Sequence, residues 1–90
     1  MIKTITRTNQ FKKDYKLALK QKKDISKLEI VLKILIAEEK LPEKYKDHML
    51  INYNSFRECH ITPDWLLIYK IVNDELFLIR LGSHSELFNK

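Results

Sequence analysis

A chain of 90 residues, 44% apolar and 32% charged, holds one small domain with one core, and its make-up excludes intrinsic disorder. Seventeen Lys and Arg stand against twelve Asp and Glu, a formal charge of +5, which makes polyanions candidate partners. The longest apolar run, Trp65 to Tyr69, is far too short for a membrane span, and the lone Cys59 excludes an internal disulfide framework and a Cys-rich zinc site.

The first seven residues alternate and carry Ile2, Thr4, Ile5 and Thr6, which predicts a short strand. They contain no apolar stretch of the kind that directs secretion, so a cytoplasmic protein without membrane contact is expected. Thr8 or Asn9 caps a helix on which Phe11, Tyr15, Ala18 and Leu19 recur at helical spacing. Lys22, Lys23 and Asp24 interrupt that pattern. A second helix has Ser26 and Glu29 at capping-box spacing, carries Ile25, Leu28, Val31, Leu32 and Leu35 on one face, and ends before Pro42. Residues 41–55 show no period, and Asn52 and Asn54 tolerate left-handed turns, so a loop is expected there.

Three extended runs follow: Phe56 to Ile61, Trp65 to Val72, and Glu75 to Leu81. Thr62-Pro63-Asp64 and Asn73-Asp74 join them as antiparallel hairpins. The expected order over residues 1–90 is β-α-α-β-β-β. This is a single α+β domain, a helical hairpin packed on one face of a mainly antiparallel sheet. The last two runs are nearly continuously apolar, so one sheet face takes the helices and the other holds a concave site or a partner. Glu58 and His60, two apart, share a face. Arg80 has the parity of Leu76 and Leu78.

Residues 1–33 hold ten basic and three acidic residues, with Lys12, Lys13, Lys16, Lys20, Lys22, Lys23 and Lys27 in a dense group. Such a group is either a solvated helix face or a nucleic-acid footprint. The other half holds all three histidines, His48, His60 and His84, with Arg57, Glu58, Asp64, Trp65 and Arg80 around them. Histidine donates and accepts protons at neutral pH, and arginine stabilises charge that develops on phosphate. Together with carboxylates these are the groups metal-free RNA cleavage uses, because the 2′-hydroxyl is an internal nucleophile. The histidine spacings of 12 and 24 contain no local ligand pair, so neither metal nor cofactor is expected. His60, between Cys59 and Ile61, is the readiest of the three to be structural. Trp65, directly after a turn, either fills the core or flanks a base. From the residues alone, the reading reached is an RNA-binding α+β domain.

The run from Glu58 to Tyr69, the tail from Arg80 to Phe88, and the triplet His48-Met49-Leu50 resemble, in order and spacing, motifs of the YafQ branch of the RelE/ParE toxin superfamily. The resemblance implies a type II toxin–antitoxin toxin, an endoribonuclease that cuts mRNA at the ribosome and is neutralised by a cognate antitoxin. It implies His84 as general acid, Arg80 on the phosphate, His60 and Asp64 as base or orienting groups, and His48 as a further proton or phosphate contact. Trp65 and Phe88 would shape the site, while Glu58 is a candidate base from its own placement. Lys12 and Lys16, within the basic group, would meet RNA. A gyrase-directed toxin of the same superfamily is the alternative, but those relatives lack this His/Asp set. Two departures stand out: Asn52 and Asn54 where a glycine is common, and Leu81 where a small polar residue is.

Overall fold

In the computed structural model, which describes residues 1–51 and 55–88, strand β1 (Thr4–Arg7) turns into helix α1 (Asn9–Lys20) at Thr8. Thr8 is the cap: its hydroxyl oxygen accepts from the Phe11 amide at 2.9 Å, satisfying one of the amides a helix start leaves free. Helix α1 buries Phe11, Asp14 and Ala18. Leu19, expected inside, is 50% exposed because it lies about 100° round the helix from Ala18. The inner stripe therefore carries a carboxylate that the apolar pattern does not reveal.

Helix α2 (Ile25–Ile36) starts from Asp24, whose carboxylate accepts from the Ser26 amide at 3.1 Å. That cap displaces the expected Ser26–Glu29 box. Leu28, Val31 and Leu35 are buried as the period predicts. Residues 41–55 are more ordered than expected: a 3-10 turn (Glu43–Tyr45) exits through Lys46 at φ 49°, and His48–Met49 form strand β2. Asn52 and Asn54 lie outside the described residues.

Strands β3 (Arg57–Thr62), β4 (Trp65–Val72) and β5 (Glu75–Gly82) follow the predicted runs to within a residue, and helix α3 (His84–Phe88) ends the described chain. The sheet order is β1-β5-β4-β3-β2, antiparallel except for the parallel β1–β5 pair. Helices α1 and α2 pack on one face over β5 and β3, around Phe11, Leu28, Val31, Cys59, Trp65, Leu67 and Leu81. The α+β expectation holds. Leu81 is core. Burial pushes the Cys59 thiol up to about 12, so it is an inert core residue. No helix among the described residues is long and apolar enough to cross a membrane.

One irregularity in β5 positions the site. Ile68 pairs with Arg80, yet Tyr69 pairs with Leu78, leaving Ile79 as an extra residue. A bulge reverses the alternation beyond it. Arg80 therefore faces away from Leu76 and Leu78, correcting the parity read from the sequence.

Candidate active site

Cross-strand partners in a sheet share a face. His48, Glu58, Ile68 and Arg80 form one row across β2, β3, β4 and β5, and His60, Leu66 and Gly82 form the row two residues further on. Both rows lie opposite the helices. Strands stand about 4.8 Å apart, so Glu58 and Arg80 sit about 10 Å apart across Ile68, a span that a phosphodiester and its ribose can bridge. Leu66 and Ile68 floor this face and are buried although they belong to no part of the helix-side core.

Glu58 is the hub. Its carboxylate is 5% exposed, and the same oxygen, Oε1, lies 3.2 Å from His48 Nε2 and 3.8 Å from His60 Nε2. His48 Nδ1 in turn faces the Lys46 carbonyl at 2.7 Å. Both nitrogens of His48 thus have oxygen partners, which fix the plane of the ring. Glu58 Oε2 has no hydrogen-bond partner among the described residues. A buried carboxylate oxygen left this way is costly, and such groups are kept where chemistry uses them.

Arg80 is fixed by a residue the sequence pattern did not single out. Strand β1 pairs with β5 only as far as Leu78, so the outer edge of β5 beyond it needs other partners. The Thr8 hydroxyl donates to the Ile79 carbonyl at 2.8 Å, and Asp14 Oδ2 accepts from the Leu81 amide at 2.9 Å. The Asp14 carboxylate also accepts from Arg80 Nε at 2.8 Å and Nη2 at 3.3 Å. Arg80 Nη1 has no partner among the described residues and remains free for an anion. A charged residue at an inner helix position three after Phe11 was the available signal.

His84 opens α3 on the end of the sheet where β3 and β4 turn. A reciprocal capping box holds it: the Glu86 amide donates to Ser83 Oγ at 3.2 Å, and the Ser83 amide donates to Glu86 Oε1 at 2.8 Å. Gln21 at the end of α1 donates to Glu86 Oε2 at 3.1 Å, tying α3 to α1. Gly82 makes room for this box, since a Cβ there would stand 2.9 Å from Glu86 Oε1 and 3.2 Å from Leu87 Cδ2. The His84 ring rests on Phe88, centroids 5.0 Å apart.

The hydrogen bond from the Ser83 amide, and then that from Gln21, hold the Glu86 carboxyl below its ordinary value of 4.5. A depressed carboxyl stabilises the fold above its unfolded value and loses that contribution as pH falls through the folded value. Amide protection factors in α3, with the intrinsic pH dependence of exchange divided out, are therefore expected to fall as pH falls below about 4.5, and Glu86→Gln should remove that dependence. Protection factors that stay flat with pH in the parent protein would show that the box does not hold α3.

A second clamp lies beside His48. Arg57 Nε and Nη2 donate to Asp47 at 3.3 and 3.0 Å, and the Tyr69 hydroxyl donates to Asp47 Oδ1 at 2.5 Å. Burial, then the bond to Asp47, raises the Tyr69 hydroxyl well above its usual range. Tyr69→Phe leaves the half-buried Asp47 carboxylate with one donor fewer and is expected to cost about 1 kcal/mol in urea unfolding. An unchanged midpoint would exclude the clamp as an anchor for β2.

The other predicted residues are scattered. Asp64 is exposed in the β3–β4 turn, at the His84 end of the sheet. Lys12 and Lys16 are exposed on α1. Trp65 is corrected: at 2% exposure it belongs to the helix-side core and has no surface to offer a base. Its ring faces Lys23 Nζ at 6.0 Å instead.

Residues 3–89 match the family model described as the bacterial toxin of type II toxin–antitoxin system, YafQ. The chain is 43% identical over 83 residues to the mRNA interferase toxin YafQ of Escherichia coli (strain B / BL21-DE3), covering 90% of each. It superposes with a TM-score of 0.90 on a chain of the E. coli DinJ–YafQ complex, at 41% identity, covering 98% of this chain and 99% of that one. A copper-bound mutant toxin from Helicobacter pylori gives a TM-score of 0.92 at 44% identity, covering 98% of this chain and all of that one. Fold and sequence together define a toxin of a type II toxin–antitoxin system. Within that class the chain belongs to the YafQ family.

Proposed function

We propose that the chain is an endoribonuclease that cleaves mRNA at the ribosome, without a metal ion, and is restrained by a cognate antitoxin. The observation that carries this reading is the row of His48, Glu58 and Arg80, with His60 beside it and His84 fixed at the same sheet end. Glu58, with His60, takes the proton of the 2′-hydroxyl. The 2′-oxygen attacks the adjacent phosphorus, His48 and Arg80 stabilise the charge on the phosphate oxygens, and His84 protonates the departing 5′-oxygen. The products are a 2′,3′-cyclic phosphate and a 5′-hydroxyl. Asp64 orients groups from the turn, and Phe88 positions the base beside the cut. Lys12 and Lys16 contact ribosomal RNA through its phosphates.

The E. coli relative's name, mRNA interferase toxin, supports the substrate, and the DinJ–YafQ complex supports an antitoxin partner. An acidic antitoxin segment that folds on binding would suit the basic surface. This reading carries a cytoplasmic location with it, since ribosomes and mRNA are there. The copper-bound H. pylori relative makes metal dependence the sharpest alternative. Among the described residues, however, no three His, Cys, Asp or Glu side chains are arranged to hold an ion, so no step is routed through one.

The test is end-mapping of a labelled mRNA with purified protein in EDTA, with and without ribosomes, across pH. Cyclic-phosphate ends and a bell-shaped rate profile are expected. A requirement for an added divalent ion would overturn the metal-free route. RNA binding without cleavage in either condition would leave a binding module, and toxicity relieved only by a resistant gyrase would leave the gyrase reading.

A further inference from the structure

A groove of about 490 Å³ runs between α2, the 3-10 turn and the outer edge of β3. It exists because β2 pairs only with Arg57 and Glu58, leaving the rest of that edge without a neighbouring strand. Lys27 of α2, Lys44 and Lys46 at the turn, and His60 of β3 line it. Ile30, 50% exposed, and Pro63 supply apolar surface. No carboxylate among the described residues lines it. Lys44 Nζ lies 5.2 Å from the ring centre of buried Tyr45, a cation–π contact that limits its swing.

We propose that this groove holds the single-stranded RNA flanking the scissile phosphate, with backbone phosphates on Lys27, Lys44 and Lys46. The proposal rests on the ribonuclease reading and adds a subsite to it. Charge is the first argument: three ammonium groups in one concavity with no counter-charge attract a polyanion. Continuity is the second, because His60 belongs both to the groove and to the row beside Glu58, so a strand leaving the reacting phosphate enters it directly. The walls offer charge and apolar surface but few groups that read base edges. The grip is therefore on the backbone and independent of sequence. An acidic peptide lying along the open β3 edge is the competing occupant.

Lys27→Gln, Lys44→Gln and Lys46→Gln, all at exposed positions, are combined in one variant and compared with the parent at matched thermal midpoint. The probes are a short RNA blocked by 2′-O-methylation at the cut, a dinucleotide of the same kind, and the cleavable RNA. Three lost phosphate contacts should reduce the slope of log affinity against log salt by about 2, since each single-strand phosphate contributes about 0.7. Dinucleotide affinity and the position of the cut should not change, and KM should rise with kcat held. An unchanged salt slope overturns the groove assignment while leaving the nuclease intact. Lost antitoxin affinity with unchanged RNA affinity would assign the groove to a peptide instead. If the parent binds the oligonucleotide with the steeper slope yet cuts no RNA, the subsite stands and the nuclease reading falls. If the parent binds no RNA at low salt, both fall.

Discussion

Replacing His84 by Ala should slow RNA cleavage by roughly 10²–10⁴-fold, the range a positioned general acid supplies, while RNA affinity stays nearly that of the parent. His84 stands at the start of α3, its ring against Phe88, on the sheet end shared with the β3–β4 turn. The Ser83–Glu86 box and the Gln21 tie hold that helix, so the imidazole is presented by a fixed backbone on a short element that five residues alone would not stabilise. Single-turnover cleavage and filter binding with the same RNA separate the two quantities. Cleavage within a few-fold of the parent would move the acid to His48 or His60.

The second large effect concerns Asp14. Asp14→Ala removes the acceptor for Arg80 Nε, Arg80 Nη2 and the Leu81 amide in one step. Breaking a buried pair by deleting one partner costs about 3–5 kcal/mol, and the 30% exposure of the Arg80 side chain lowers that here to about 2–3 kcal/mol. Urea unfolding reads this term. Cleavage should fall as well, by about ten- to a hundredfold at temperatures where the variant is folded, because the Arg80 guanidinium loses the carboxylate that fixes its position. Asp14→Asn keeps an acceptor for the Leu81 amide and should recover more stability than activity. If Asp14→Ala unfolds more easily yet cleaves as fast when folded, Asp14 is only an edge cap and Arg80 aims itself.

These expectations rest on features of unequal legibility. Glu58 and His60 could be placed on one face from spacing alone, because strand alternation is local and β3 runs regularly between them. Arg80 could not, because the Ile79 bulge arises from β5 pairing with β4 on one side and meeting Thr8 and Asp14 on the other. The same holds for β2: two residues carry no period, and His48 joins the row only by pairing with Glu58. Trp65 was equally open after a turn, and packing beneath the helices settled it as core.

The α+β class, the helix stripes at Leu28, Val31 and Leu35, the two hairpins, and the set of acid, base and cationic side chains are legible in the chain before it folds. Those follow from local period, turn chemistry and residue type, which neighbours in the chain decide. The tertiary structure alone decided which face Arg80 takes, that Asp14 turns inward to hold it, and that Gly82 leaves room for the Glu86 cap behind His84. Each of these depends on an unpaired strand edge or a close approach between residues far apart in the chain. Hydrogen-bond demand at such places is fixed only when the sheet closes.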